Sequence, residues 1–176
     1  GSFSGAVFTE NVLAFFDIPF TSQPSVGSNL GSSKTEFGDG TRVAYTDLVV
    51  SETFYNTVTG ANVFYAQAAD RSSGIKVNLP RTMGPAFAPG DVVSISGTLS
   101  SDSEPDGGTG TTWGDRTLNA SEVIKTGVGD APEPLGLVNN DVVGAWSSNF
   151  QNGAWFGNGL NNLGLYIKVV GKVTYV

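Results

Sequence analysis

Between Arg42 and Lys125 apolar residues fall on alternate positions in a series of short runs, cut by clusters of Gly, Pro, Asn, Asp and Ser. In "IKVNL" the residues Ile75, Val77 and Leu79 share a face. In "DVVSISGTL" Val93, Ile95 and Leu99 do the same, with Gly97 interrupting. A period of two belongs to an extended chain with one face toward a core, whereas an amphipathic helix repeats every 3.6 residues. The pattern predicts strands over 42–54, 63–68, 75–79, 91–99 and 116–125. Turns fall at 55–62 and 69–74, and a proline-rich connector covers 80–90. Of the neighbours Phe64 and Tyr65, whichever points inward is a core residue.

Five strands, with a long bendable first one and a glycine late in the fourth, suggest a small closed barrel, since strand glycines mark the bulges that closure requires. The expected fold class is all-β, a five-stranded barrel with an apolar N-terminal extension and a C-terminal strand. The expected divisions are an extension over 1–40, the barrel over 41–126, a loop-rich connector over 127–163 and a final strand over 164–176. At 176 residues the chain is long enough for one domain with a real core. Its 24 glycines, against only 14% charged residues, favour turns and strands.

The stretches "NVFYAQAADRSSGIKV", "PGDVVSISGTL" and "RTLNASEVI" resemble the OB-fold modules found in tandem in large secreted bacterial surface proteins. The resemblance runs from about Thr41 to Lys125, and it implies an OB-like barrel. That fold carries many unrelated activities, so no activity is implied with it.

Composition narrows the function classes. The formal charge is −7, and the nine basic residues are scattered, whereas phosphate binding needs clustered Lys and Arg. Nucleic-acid-binding members of the wider fold use basic, aromatic surfaces, and this chain keeps only the aromatics. With no histidine and no cysteine, the commonest general base, thiol chemistry and zinc–thiolate sites are all excluded. No catalytic constellation is visible, and the expectation is a protein that is not an enzyme. Ser72 and Ser73 read as turn residues, and the carboxylates cluster in loops rather than as a facing pair. Little Lys and Glu beside much Gly, Ser, Thr and Asn resembles a secreted or cell-surface composition. No stretch reaches the length of a membrane span.

Three candidate sites follow. The acidic loop carries Asp102, Glu104 and Asp106 among glycines, with Asp115 beyond, and reads either as a weak calcium loop or as a solvated hairpin tip. No other cofactor is expected. Trp113 in the same loop and Tyr65 on the second strand could form an aromatic platform for a carbohydrate, or could serve as core and cap residues. Asn119-Ala120-Ser121 is a glycosylation sequon.

The two ends of the chain hold the third candidate. Phe8, Val12, Phe15 and Phe16 lie in a markedly apolar opening stretch, where a short helix through Val12–Phe16 and an extended segment both remain open. At the far end, "GLYIKVVGKVTYV" sets Leu165, Ile167, Val169, Val173 and Tyr175 on one face of a strand. "GKVTYV" resembles a first barrel strand, as though a second barrel began there. An exposed apolar strand must be covered. The first expectation is cover by another copy of the chain, through strand addition; return to its own barrel comes second. The leading functional reading is therefore a structural subunit of an extracellular filament or surface assembly, its partners being other copies of itself. A carbohydrate- or polymer-binding module is the alternative, and a nucleic-acid-binding OB domain the third.

Overall fold

The computed structural model describes residues 29–57, 60–83, 87–101, 115–137, 144–145, 151, 153, 157 and 159–171, and the backbone of 104–105 and 112–113. It is an all-β fold. Five strands form a hydrogen-bonded ring: β1 (Arg42–Asn56), β2 (Ala61–Ala68), β3 (Gly74–Asn78), β4 (Asp91–Ser101) and, after two short strands, β7 (Arg116–Val128). Around the ring the order is β1-β2-β3-β7-β4, all antiparallel except the β3–β7 pair. This agrees with the OB-like barrel expected from the alternating pattern.

The long first strand is what lets five strands close. Its first half pairs with β4 from Arg42↔Thr98 to Val49↔Val92, and its second half pairs with β2 from Leu48↔Ala68 to Asn56↔Ala61. Register breaks at Tyr45/Leu48 and Val50/Glu52 bend it between the two partners. Asp47 sits inside the first break with φ of 58°. Gly97 marks another break, where a Cβ would come within 3.0 Å of the Ala120 Cα, so the glycine permits a close crossing of β4 and β7.

Alternation turns directly into burial. Along β4 every odd-numbered residue from Asp91 to Leu99 is buried, and Ile75, Val77 and Leu79 are buried as their spacing predicts. Of the adjacent aromatics, Phe64 enters the core at 1% exposure, and Tyr65 faces partly outward. Each large side chain buried in this way contributes about 1.5–3 kcal/mol.

Two findings depart from the sequence reading. The extension expected over 1–40 contains a helix, α1 (Leu30–Glu36), in a stretch rich in Ser and Gly that the sequence reads as loop. Its Gly-, Ser- and Thr-rich residues have weak helix propensity, so the helix depends on its cap and on packing. The Asn29 side chain accepts the Ser32 N–H at 2.8 Å, and the Ser33 hydroxyl meets the Tyr45 hydroxyl at 2.6 Å inside the core. The second departure concerns the final strand. Of its described residues, 164–171, only Ile167–Val169 form a strand, β9, which pairs in parallel with β8 (Leu135–Leu137) of the same chain's connector. The short strands β5 (Glu104–Pro105) and β6 (Thr112–Trp113) pair with each other within the acidic loop.

Arg116 ties the segment before β1 to the ring. Its guanidinium pairs with the Asp39 carboxylate, donates to the Phe37 carbonyl, and reaches the Ser101 hydroxyl at 3.0 Å. The Ser101 amide and hydroxyl both donate to Asp39 as well.

Candidate functional site

The site is the seam where the C-terminal segment lies on the ring. Gly164 has φ of 87° and packs its backbone against that of Gly74 at the start of β3. No side chain stands between the two backbones, and this lets the returning segment sit directly on the barrel. Beside the contact, Lys34 of α1 donates to the carbonyls of Gly74 at 2.6 Å and Leu163 at 2.8 Å. One ammonium group thereby joins helix, ring and returning segment. Further along, the Gln67 side-chain oxygen accepts the Tyr166 N–H at 3.1 Å. The Tyr166 carbonyl accepts from Leu135 at 2.9 Å, which starts the β8–β9 pairing.

Lys34 is only 2% exposed. Burial pulls its pKa down from 10.5 to about 7; the charge of Asp115 opposes that shift and the charge of Arg116 adds to it. Tyr45, nearby, is shifted upward by burial, with its bond to Ser33 and the charge of Arg116 acting in the opposite direction.

Beneath the returning segment a cleft of about 400 Å³ opens between β1, β2 and residues 162–167. Its walls include Glu52, Tyr65, Asp115, Asn162 and Tyr166. The Tyr65 ring is propped by Phe54, with centroids 5.8 Å apart. The cleft therefore joins aromatic faces to carboxylate, hydroxyl and amide groups, and among the described residues its lining has no basic side chain. Such a surface suits an uncharged or cationic guest that can donate hydrogen bonds.

Of the subunit-contact residues expected at the C-terminus, Leu165 is buried at the seam, Ile167 is half-buried, and Val169 is 55% exposed. They do not share the one buried face that strict alternation predicts. The Gly164 turn and the Gln67 bond to Tyr166 hold the chain off a sheet until residue 167, so regular alternation begins late. In cis, β9 pairs with β8 of the connector and not with a strand of the ring, so it matches neither strand addition nor the expected return to the barrel. Val173, Tyr175, Phe8, Val12, Phe15 and Phe16 lie outside the described residues.

Tyr65 is in the cleft, while of Trp113 only the backbone is described, in β6 opposite Glu104. Asp102 and Asp106 lie outside the described residues, as does the Glu104 side chain. Among the described residues no three His, Cys, Asp or Glu side chains group as metal ligands. Ser72 caps a turn, its amide donating to Asp70 at 2.9 Å. Asn119 is exposed on β7, where its side-chain oxygen accepts from Asn78 at 3.0 Å.

Sequence reasoning missed Lys34, Gln67, Gly74, Gly164 and Glu52, and placed Asp115 only in the acidic loop. Only α1 left a usable trace, in Asn29 three residues before Ser32, a capping spacing inside a polar run. No protein-family model matches the chain, and no curated protein matches it in sequence. No described helix is long and apolar enough to cross a membrane.

Proposed function

We propose that this chain is a structural subunit of an extracellular filament or surface assembly, with neighbouring copies joined by strand addition and apolar packing. The observation that carries the reading is the β8–β9 ribbon. It has two strands of three residues each, and among the described residues neither outer edge is paired. Ribbons this small are marginal alone and gain from a further strand. Val169 and Val170 are 55% and 72% exposed at its end, where an added strand would cover them. An open edge flanked by apolar side chains is a template for another chain. The secreted-type composition and the lack of a catalytic constellation agree with a structural role.

The test is the pair of substitutions Val169→Asp and Val170→Asp in the full chain, followed by light scattering and negative-stain microscopy. Both positions are exposed, so the melting temperature should hold while polymer formation is lost. Unchanged polymer from the double variant would overturn strand addition at this edge. A wild-type chain that stays monomeric at every concentration would overturn the subunit reading itself.

The cleft under residues 162–167 favours a second reading, a carbohydrate- or polymer-binding module. Titration with neutral oligosaccharides, comparing wild type with Tyr65→Ala, separates it from the first. Nucleic acid remains the third and least favoured partner, because the cleft lining is acidic and the chain carries a charge of −7.

A further inference from the structure

We infer that an aromatic groove beside the β1–β2 hairpin receives the apolar N-terminal segment, Phe3–Phe20, of a second copy of this chain. The inference rests on the reading that copies join, and it adds a contact separate from the β8–β9 ribbon.

The groove measures about 430 Å³ and is walled by Phe54, Tyr55, Val63 and Phe87, with Thr53 and Asn62 as its polar lining. Among the described residues its lining holds no charged side chain. Phe54 and Tyr55 are 41% and 59% exposed, yet the core closes without either of them. The fold does not require two neighbouring aromatics here, and leaving them in water gives up the burial that aromatics supply so well. A covering partner accounts for both. Three other clefts carry charged walls, with Arg71 and Glu133, with Glu52 and Asp115, or with Lys34. This groove alone of the four selects against charge, because a charged guest would lose its hydration with nothing to pair it.

The chain supplies a matching guest. Its first twenty residues hold five phenylalanines, two acidic residues and no basic one, and Val12–Phe16 is an uncharged run ending in Phe15-Phe16. Asn29, the first described residue, stands at the end of the barrel away from the groove. The first turn of α1 packs on Ser73, a Cβ on Gly31 lying 3.7 Å from the Ser73 Cβ. Ser73 accepts from Ala68 at the far end of β2. The groove lies at the other end of β2, six residues away, or about 20 Å at roughly 3.3 Å per residue. An apolar segment and an aromatic groove are two different surfaces of one chain. A contact built from two such different surfaces is head-to-tail and grows without closing.

The cysteine-free chain allows a direct test. Single variants Phe8→Cys, Phe15→Cys and Phe16→Cys are each mixed with Tyr55→Cys under mild oxidation and run on a non-reducing gel. A mixed disulfide dimer is expected for at least one pair, in several-fold excess over either homodimer. The double variant Phe16→Cys/Tyr55→Cys should give a ladder of linked chains. A fast-migrating monomer with no free thiol would show the segment docked on its own barrel and would overturn the inference. Phe54→Ser/Tyr55→Ser should raise the concentration needed for assembly at least tenfold. If wild type assembles but no pair cross-links and the serine variant assembles unchanged, the groove contact fails and the ribbon contact stands. If wild type never assembles, both fail together.

Discussion

Gly74 and Gly164 touch backbone to backbone, and a Cβ on Gly164 would come within 2.6 Å of the Gly74 carbonyl oxygen. The contact joins residues ninety positions apart and fixes where the C-terminal segment meets the ring. Everything else at the seam, from the Lys34 bonds to the β8–β9 pairing, is arranged around it.

Gly74→Ala should therefore loosen the seam more than the barrel. Its Cβ would overlap the Gly164 carbonyl, and the neighbouring atoms are backbone, which cannot swing aside. Gly164→Ala adds the cost of a positive φ, about 1–2 kcal/mol. Limited proteolysis should cut either variant near 164–171 well before the ring is attacked. Wild-type resistance there would show that the close approach is dispensable.

Lys34 predicts an unusual pH dependence. Between pH 7 and its ordinary pKa of 10.5 the unfolded chain binds a proton at Lys34 that the folded chain does not. Stability therefore rises with pH across that window, by about 1.4 kcal/mol per pH unit at most. Lys34→Met should remove this component. Urea unfolding at pH 7 and 9 checks it: wild type should gain on the variant by roughly 1–3 kcal/mol over the interval. A variant with the same pH slope would place the proton elsewhere.

Breaking the Arg116–Asp39 pair should cost more than an ordinary surface pair, because the arginine side chain is fully buried while the aspartate is 56% exposed. Asp39→Ala leaves a buried guanidinium without its carboxylate, at about 2–3 kcal/mol, below the full buried-pair value because Asp39 is partly screened by water. Arg116→Lys should also destabilise, since a single ammonium cannot reach Asp39, Phe37 and Ser101 together. Chemical denaturation midpoints measure both.

If the acidic loop from Asp102 to Asp115 is the weak calcium loop and not the solvated tip, calcium should raise the melting temperature by mass action. Identical melting curves in chelator and in millimolar calcium would remove that expectation. Titration of single-stranded DNA should show no salt-sensitive micromolar binding, given the charge of −7.

Strand positions and inward faces were legible in the sequence because alternation is local: Ile75, Val77 and Leu79, or Val93, Ile95 and Leu99, sort themselves whatever else the chain does. Gly97 announced its bulge for the same reason, since a missing side chain weakens a strand wherever it stands. The helix at Leu30–Glu36 left only the capping spacing at Asn29 as a trace, because its residues disfavour helix and are held by contacts to Tyr45 and Gly74. Nor did the run Leu165–Val169 reveal where it would pair. Its alternation states that a strand wants cover, and the identity of the cover was decided by Gly74, Lys34 and Gln67, residues about ninety positions or more away. Period and propensity act between neighbours in sequence, so the ring was written there. The seam, the cleft and the aromatic groove depend on distant backbones meeting, and only the tertiary structure decided them.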